Sequence, residues 1–212
     1  MSKLKQLLAI IPEPLRDCYF NYKYNKQLKN WEKNGRPLPT PHIVKQLAIK
    51  SYQKKYNVDT LIETGTYLGD MVYAQRKLFK KIYTIELSKE LFKRCRKRLN
   101  KYKHIEVIQG DSGVILESLV RELNQKALFW LDGHYSGGVT AKGDKESPVI
   151  QELKTILQSN IEHIILIDDA RNFDGTNDYP TVEQLKALIL EGGYPDSTIK
   201  VEDDIIRVEL KS

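Results

Sequence analysis

Leu61-Ile62-Glu63-Thr64-Gly65-Thr66-Tyr67-Leu68-Gly69-Asp70 runs from an apolar stretch, over two glycines, into an amphipathic segment. A strand that turns over glycines into a helix opens a β-α-β unit. Reading outward from it, short apolar runs alternate with amphipathic segments, the pattern of parallel strands joined by crossover helices. Strands are predicted over residues 59–63, 81–86, 105–109, 127–132 and 161–168, and helices over 68–79, 89–102, 112–124, 147–159 and 181–191. Pro180-Thr181-Val182-Glu183 gives the last helix a start signal, and Gly192-Gly193 gives it a stop. Beyond Tyr194-Pro195, residues 198–202 and 205–210 alternate like strands around Asp203-Asp204, which predicts an antiparallel hairpin closing the sheet. Residues 1–50 read as an amino-terminal helical extension and candidate lid, and residues 51–212 as the α/β domain.

Composition narrows the class. A chain of 212 residues with 41% hydrophobic and 29% charged content is large enough for one sizeable core. No stretch approaches the roughly 20 apolar residues of a membrane span, and the apolar run before Pro12 is too short for a signal-peptide core. The expectation is a cytoplasmic protein with no membrane partner. Cys18 and Cys95 stand far apart with no CxxC pair or histidine cluster, so they read as ordinary reduced thiols. The net charge of +6 is uneven, because residues 76–103 carry twelve Lys/Arg against Glu86 and Glu90. Such a run attracts nucleic acid, yet its helical spacing and lack of aromatic interleaving favour a solvated helix face.

In open α/β sheets ligands bind outside the carboxyl ends of the strands. Here each predicted parallel strand ends in, or is followed by, an acid: Glu63, Glu86, Asp111, Asp132 and the pair Asp168-Asp169. A dinucleotide fingerprint fails on the glycine loop, since placing the middle glycine of G-x-G-x-x-G on Gly65 puts Glu63 first and Leu68 last. A carboxylate beside the loop would also repel a pyrophosphate, two unit charges at about 4 Å interacting by about 4 kcal/mol near a protein surface. The same carboxylate favours a cationic nucleoside without phosphates. Glu86, 21 residues past Gly65, is placed to accept hydrogen bonds from a ribose diol, or is a helix-start acid. Asp111 either receives an adenine amino group or caps the following helix; the two are compatible.

Glu63-Thr64-Gly65-Thr66-Tyr67-Leu68-Gly69, Ile85-Glu86, Gly110-Asp111-Ser112 and Trp130-Leu131-Asp132-Gly133-His134 together resemble the ordered motifs of class I S-adenosylmethionine-dependent methyltransferases, over about residues 58–210. The resemblance implies a Rossmann-like α/β fold: a mostly parallel seven-stranded sheet, a reversed last strand and helices on both faces. It implies S-adenosylmethionine as cofactor, held by Glu63, Thr64, Gly65, Thr66, Tyr67, Gly69, Glu86, Asp111, Ser112 and Asp132.

Asp132, Asp168 and Asp169 should meet at adjacent strand ends, where uncompensated carboxylates repel one another unless a cation intervenes. An oxygen-only donor set suits Mg²⁺, with Mn²⁺ or Ca²⁺ as substitutes. The alternative is that Asp168-Asp169 caps a loop and Asp132 touches only cofactor. The pattern is similar to the metal-dependent O-methyltransferases of the catechol and macrocin-like types. In the latter the residue two beyond the first metal acid resembles a general base, usually aspartate; here it is His134, a departure. An imidazole with an unperturbed pKa near 6.5 accepts a hydroxyl proton at neutral pH, although a loop histidine bonding backbone is the plainer account. Arg171 either neutralises the acidic pair in place of a metal or holds an anionic substrate group. Residues 135–138, 140–144 and 171–175 are candidate substrate loops. The expected activity is metal-assisted methylation of a small-molecule hydroxyl. The competing readings are an RNA methyltransferase using the basic run, a cofactor-binding module without turnover, and a metal-dependent hydrolase that would leave the Glu63 loop without a task.

Overall fold

The computed structural model describes residues 11–133 and 148–212. The chain forms two compact units, Met1–Lys45 and Gln46–Ser212. In the first, helix α1 (Glu13–Lys33) is largely solvated, and Trp31, Ile43 and Val44 bury against one another with Tyr24 and Leu28 alongside. The Trp31 indole donates to the Pro37 carbonyl at 2.8 Å. The second helix is α2 (His42–Tyr56).

From there β1 (Thr60–Thr64), α3 (Asp70–Gln75), β2 (Lys81–Glu86), α4 (Lys89–Leu99), β3 (Ile105–Gln109), α5 (Ser112–Glu122), β4 (Ala127–Leu131), α6 (Val149–Leu157), β5 (Ile164–Ile167), α7 (Val182–Glu191), β6 (Thr198–Glu202) and β7 (Ile205–Glu209) follow in order. They build a seven-stranded sheet in the order β3-β2-β1-β4-β5-β7-β6. The first five strands are parallel, and β7 pairs antiparallel with both β5 and β6. The Asp203-Asp204 turn of that hairpin has both residues at positive φ, 53° and 61°, the backbone twist that suits a two-residue connection.

Side chains of the central strands alternate between two buried faces. Ile62, Phe129, Leu131, Ile165 and Ile167 pack under α5, α6 and α7. Leu61, Leu128, Trp130, Ile164 and Leu166 pack under α2, α3 and α4. Burial on both faces explains why these strands read as continuous apolar runs. Strand order reverses between β1 and β4, so the crevice at their carboxyl ends is the switch point where ligands bind in such sheets.

Element boundaries differ from expectation where backbone or side chain has another task. The first crossover helix is shorter than predicted. It starts after Gly69, held at φ 71°, and ends at Gln75, so that the next turn delivers Phe79 into the core. Strand β5 begins at Ile164 because His163 turns inward, its Nδ1 accepting from the Ala127 amide at 3.1 Å. Burial pushes the His163 imidazole down to about 4, so it is neutral there. Helix α7 starts on a reciprocal cap, Thr181 Oγ1 accepting from the Gln184 amide at 3.1 Å and Gln184 Oε1 from the Thr181 amide at 2.7 Å.

Candidate functional site

The loop from Glu63 to Asp70 is pinned on three sides. The amides of Gly65 and Thr66 donate to the Ile85 carbonyl at 3.0 and 3.3 Å, tying it to the end of β2. On the β4 side the Asp132 amide donates to the Thr64 carbonyl at 3.2 Å. Gly65 has φ 80°, and a β-carbon there would lie 2.2 Å from the Asp132 carbonyl oxygen. Only glycine satisfies both the left-handed backbone and that close approach. From α4, the Cys95 thiol donates to the Tyr67 carbonyl at 2.8 Å, and Arg98 donates to the Leu68 carbonyl and pairs with Asp70 at 2.6 Å. Cys95 and Arg98 are thus part of the loop's frame, a role the sequence reading did not assign. The basic run divides accordingly. Arg76 is buried over the Tyr73 ring, Lys80 pairs with Asp59, Lys81 with Glu106 and Arg94 with Glu90. Lys89, Lys93, Arg96 and Lys97 are exposed with no acidic partner among the described residues.

Glu63 is 1% exposed, and its Oε2 accepts from the Thr84 hydroxyl, which in turn bonds the Thr66 hydroxyl at 2.6 Å. Burial pushes its carboxyl up to about 8; the Thr84 bond opposes the shift, and the nearby Glu86 and Asp70 charges add to it. At neutral pH most molecules therefore carry Glu63 protonated. This weakens the argument that its charge repels a pyrophosphate: the residue stands at the end of β1 as predicted, but buried and bonded within the sheet. Glu86 is the carboxylate that faces the loop. Its Oε2 accepts from the Tyr67 amide at 2.8 Å and its Oε1 from the Ser88 amide at 2.9 Å. Burial raises its pKa, and the two amides oppose that shift. Each oxygen retains a second lone pair that a ribose hydroxyl can use.

Asp111 caps α5, its Oδ1 accepting from the Gly113 amide at 2.8 Å. Its neighbour Ser112 turns inward and donates to Glu152 Oε1. Glu152 is 1% exposed, and burial pushes it up to about 7 against the opposing Ser112 bond. The sequence reading missed it. The signal was an acid on the apolar stripe Val149, Leu153, Ile156 of α6, three residues beyond Val149.

The metal set expected at Asp132, Asp168 and Asp169 finds no support in the structure. Among the described residues, no group of three or more His, Cys, Asp or Glu side chains is placed to hold a metal ion. Asp168 accepts from the Asp169 amide at 2.8 Å. Asp169, in a left-handed conformation at φ 55°, pairs instead with Arg171 Nη1 at 2.9 Å. The same guanidinium binds Asp204, whose side chain is wholly buried, and Asp204 also accepts from the Arg171 amide at 2.9 Å. Arg171 is thus the counter-cation of Asp169, which favours the neutralising alternative over Mg²⁺ held by Asp132, Asp168 and Asp169. It also ties the β6–β7 turn, read from sequence only as a turn, to the end of β5. The proposed base His134, and residues 135–138 and 140–144, lie outside the described residues.

No family model matches the chain, and no curated protein does either. Solved structures match over nearly its whole length. The SAH-bound Podospora anserina methyltransferase PaMTH1 superposes with a TM-score of 0.59 at 18% identity, covering 96% of this chain and 99% of that one. An O-methyltransferase from Bacillus cereus in complex with SAH gives 0.59 at 14% identity over 99% and 98%. The O-methyltransferase TomG from Streptomyces achromogenes, involved in tomaymycin synthesis and in complex with SAM, gives 0.59 at 15% identity over 95% and 100%. At such identities what is shared is the architecture, and the chain has the Rossmann-like methyltransferase fold.

Proposed function

We propose that this chain is an S-adenosylmethionine-dependent methyltransferase acting on a hydroxyl of a small molecule. The observation that carries the reading is the loop of Gly65 and Tyr67, wedged against the Asp132 carbonyl and bonded to Glu86 at the sheet's switch point. When bound, S-adenosylmethionine supplies an electrophilic methyl group on a sulfonium. The chain's residues do the rest. Glu86 accepts the ribose diol, Asp111 through its second side-chain oxygen accepts an adenine amino group, and Gly65 lets ligand and β4 approach the backbone closely. Glu63, Thr64, Thr66, Tyr67, Gly69 and Asp132 complete the cofactor set, and Ser112, whose hydroxyl donates to Glu152, contributes through the backbone of its turn. Holding a hydroxyl in line with the transferring methyl is the main catalytic contribution, and His134 is the proposed acceptor of the hydroxyl proton.

Because Asp169 is committed to Arg171, the donor set does not fit a hard divalent ion, and no step of this chemistry runs through a metal. The O-methyltransferase neighbours support a hydroxyl acceptor on a small molecule. The exposed Lys89, Lys93, Arg96 and Lys97 support a second reading, RNA as the acceptor.

Calorimetric titration with S-adenosylmethionine, S-adenosylhomocysteine and NAD tests the reading. Saturable one-site binding of the first two and none of NAD is expected, followed by transfer of labelled methyl to a panel of phenols and sugar hydroxyls. Binding of NAD alone, or of none of the three, overturns it. Methyl transfer to RNA with steep salt dependence, and none to the panel, selects the second reading.

A further inference from the structure

Glu152 lies in α6, whose apolar stripe packs beneath the sheet, yet its carboxyl is directed to the carboxyl ends of the strands. Its Oε1 accepts the Ser112 hydroxyl, 40 residues away in the chain. A β-carbon on Gly133 would stand 3.1 Å from that same oxygen and 3.1 Å from the Thr64 hydroxyl oxygen. The carboxyl therefore sits where three connections meet: Thr64 ends β1, Ser112 opens α5 after β3, and Gly133 follows β4. Each of these neighbours a proposed cofactor contact, respectively Gly65, Asp111 and Asp132. A carboxyl 1% exposed is a costly group to keep beside leucine and isoleucine unless it organises its surroundings.

We infer that Glu152 is a positioning residue of the cofactor site: through the Ser112 hydroxyl it holds the turn bearing Asp111 in register with the ends of β1 and β4. The inference rests on the cofactor reading above and assigns Glu152 no contact with ligand. Ser112 has its hydroxyl occupied by Glu152, so this side chain acts on the site through the backbone of the turn it anchors. Burial raises Glu152 toward about 7, and a protonated carboxyl keeps the carbonyl oxygen that Ser112 needs. A glutamine keeps that oxygen at nearly the same volume; a leucine does not and leaves the Ser112 hydroxyl buried and unpaired.

The test is S-adenosylhomocysteine affinity, measured by calorimetry on the full chain for the wild type, Glu152→Gln, Glu152→Leu, Ser112→Ala and the Ser112→Ala/Glu152→Leu double variant. Expected are near-wild-type affinity for Glu152→Gln and a loss on the order of tenfold for Glu152→Leu and for Ser112→Ala. The double variant should be no weaker than Glu152→Leu alone, because losing the Ser112 hydroxyl costs nothing further once its acceptor is gone. In turnover the loss should appear in the KM for S-adenosylmethionine with kcat little changed. Wild-type affinity in Glu152→Leu, or losses that simply add in the double variant, overturns the inference. If Glu152→Leu does not fold, Ser112→Ala alone decides, and wild-type affinity there overturns it. A wild-type chain that binds no S-adenosylhomocysteine refutes the cofactor reading itself, a separate outcome.

Discussion

Gly65 packs its Cα face against the carbonyl of Asp132, at a separation that would put a β-carbon 2.2 Å from the oxygen. That contact joins the first strand-end loop to the end of β4 across the switch point. Gly65→Ala must both occupy φ 80° and displace a backbone carbonyl. The expected cost is about 2–4 kcal/mol of stability, with loss of S-adenosylmethionine binding. Urea unfolding and calorimetry check this, and a variant as stable as wild type refutes it.

The buried carboxyls fix a pH dependence. Glu63, raised from 4.5 to about 8, binds its proton more tightly folded than unfolded, so stability should fall as pH rises from about 4.5 through about 8. Glu152, raised to about 7, acts the same way over the lower part of that window. His163 has the opposite sign. Lowered from 6.5 to about 4, it makes stability rise with pH between those values. Between pH 6.5 and 8 the carboxyls act without the histidine. Denaturant midpoints should therefore decline there, and Glu63→Gln should flatten the decline.

Arg171 supplies the positive charge at the β5 acids. Arg171→Ala removes the guanidinium that pairs with the buried Asp204 and with Asp169. Because Arg171 is about one-third exposed, the expected loss is about 2 kcal/mol, below the range for a wholly buried pair. Chelation should change neither the melting temperature nor S-adenosylmethionine affinity. A saturable stabilisation by Mg²⁺ would show that a metal does occupy these acids.

The two thiols should separate cleanly. Cys18 is exposed, whereas Cys95 is buried against the Tyr67 carbonyl, and burial pushes its thiol up to about 12. Since the thiolate is the reactive form, a disulfide-exchange reagent should titrate one thiol in the native chain and both in denaturant. Rapid native labelling of Cys95 would show that α4 does not hold the loop as described.

His134→Ala should leave S-adenosylmethionine affinity intact and slow methyl transfer by about 10²–10⁴-fold. Single-turnover rates measured beside binding constants separate the two effects, and an unchanged rate removes the residue from the chemistry.

What local sequence determined here is the order and kind of the elements. Runs such as Ala127–Leu131 and Ile164–Ile167 are apolar throughout because both their faces are buried, and Asp203-Asp204 adopts the positive φ that a tight hairpin requires. The glycine loop and the strand-end acids were legible for the same reason: each depends on residues close in the chain. Only the tertiary structure decided what those acids do. Arg171 reaches Asp204 across 33 residues, Cys95 reaches Tyr67 across 28, and Ser112 reaches Glu152 across 40. No local periodicity carries such contacts. Charge state followed the same division: a carboxylate written in the sequence became, once enclosed by Thr84 and the flanking strands, the largely neutral Glu63, because desolvation depends on what the whole fold packs around a group.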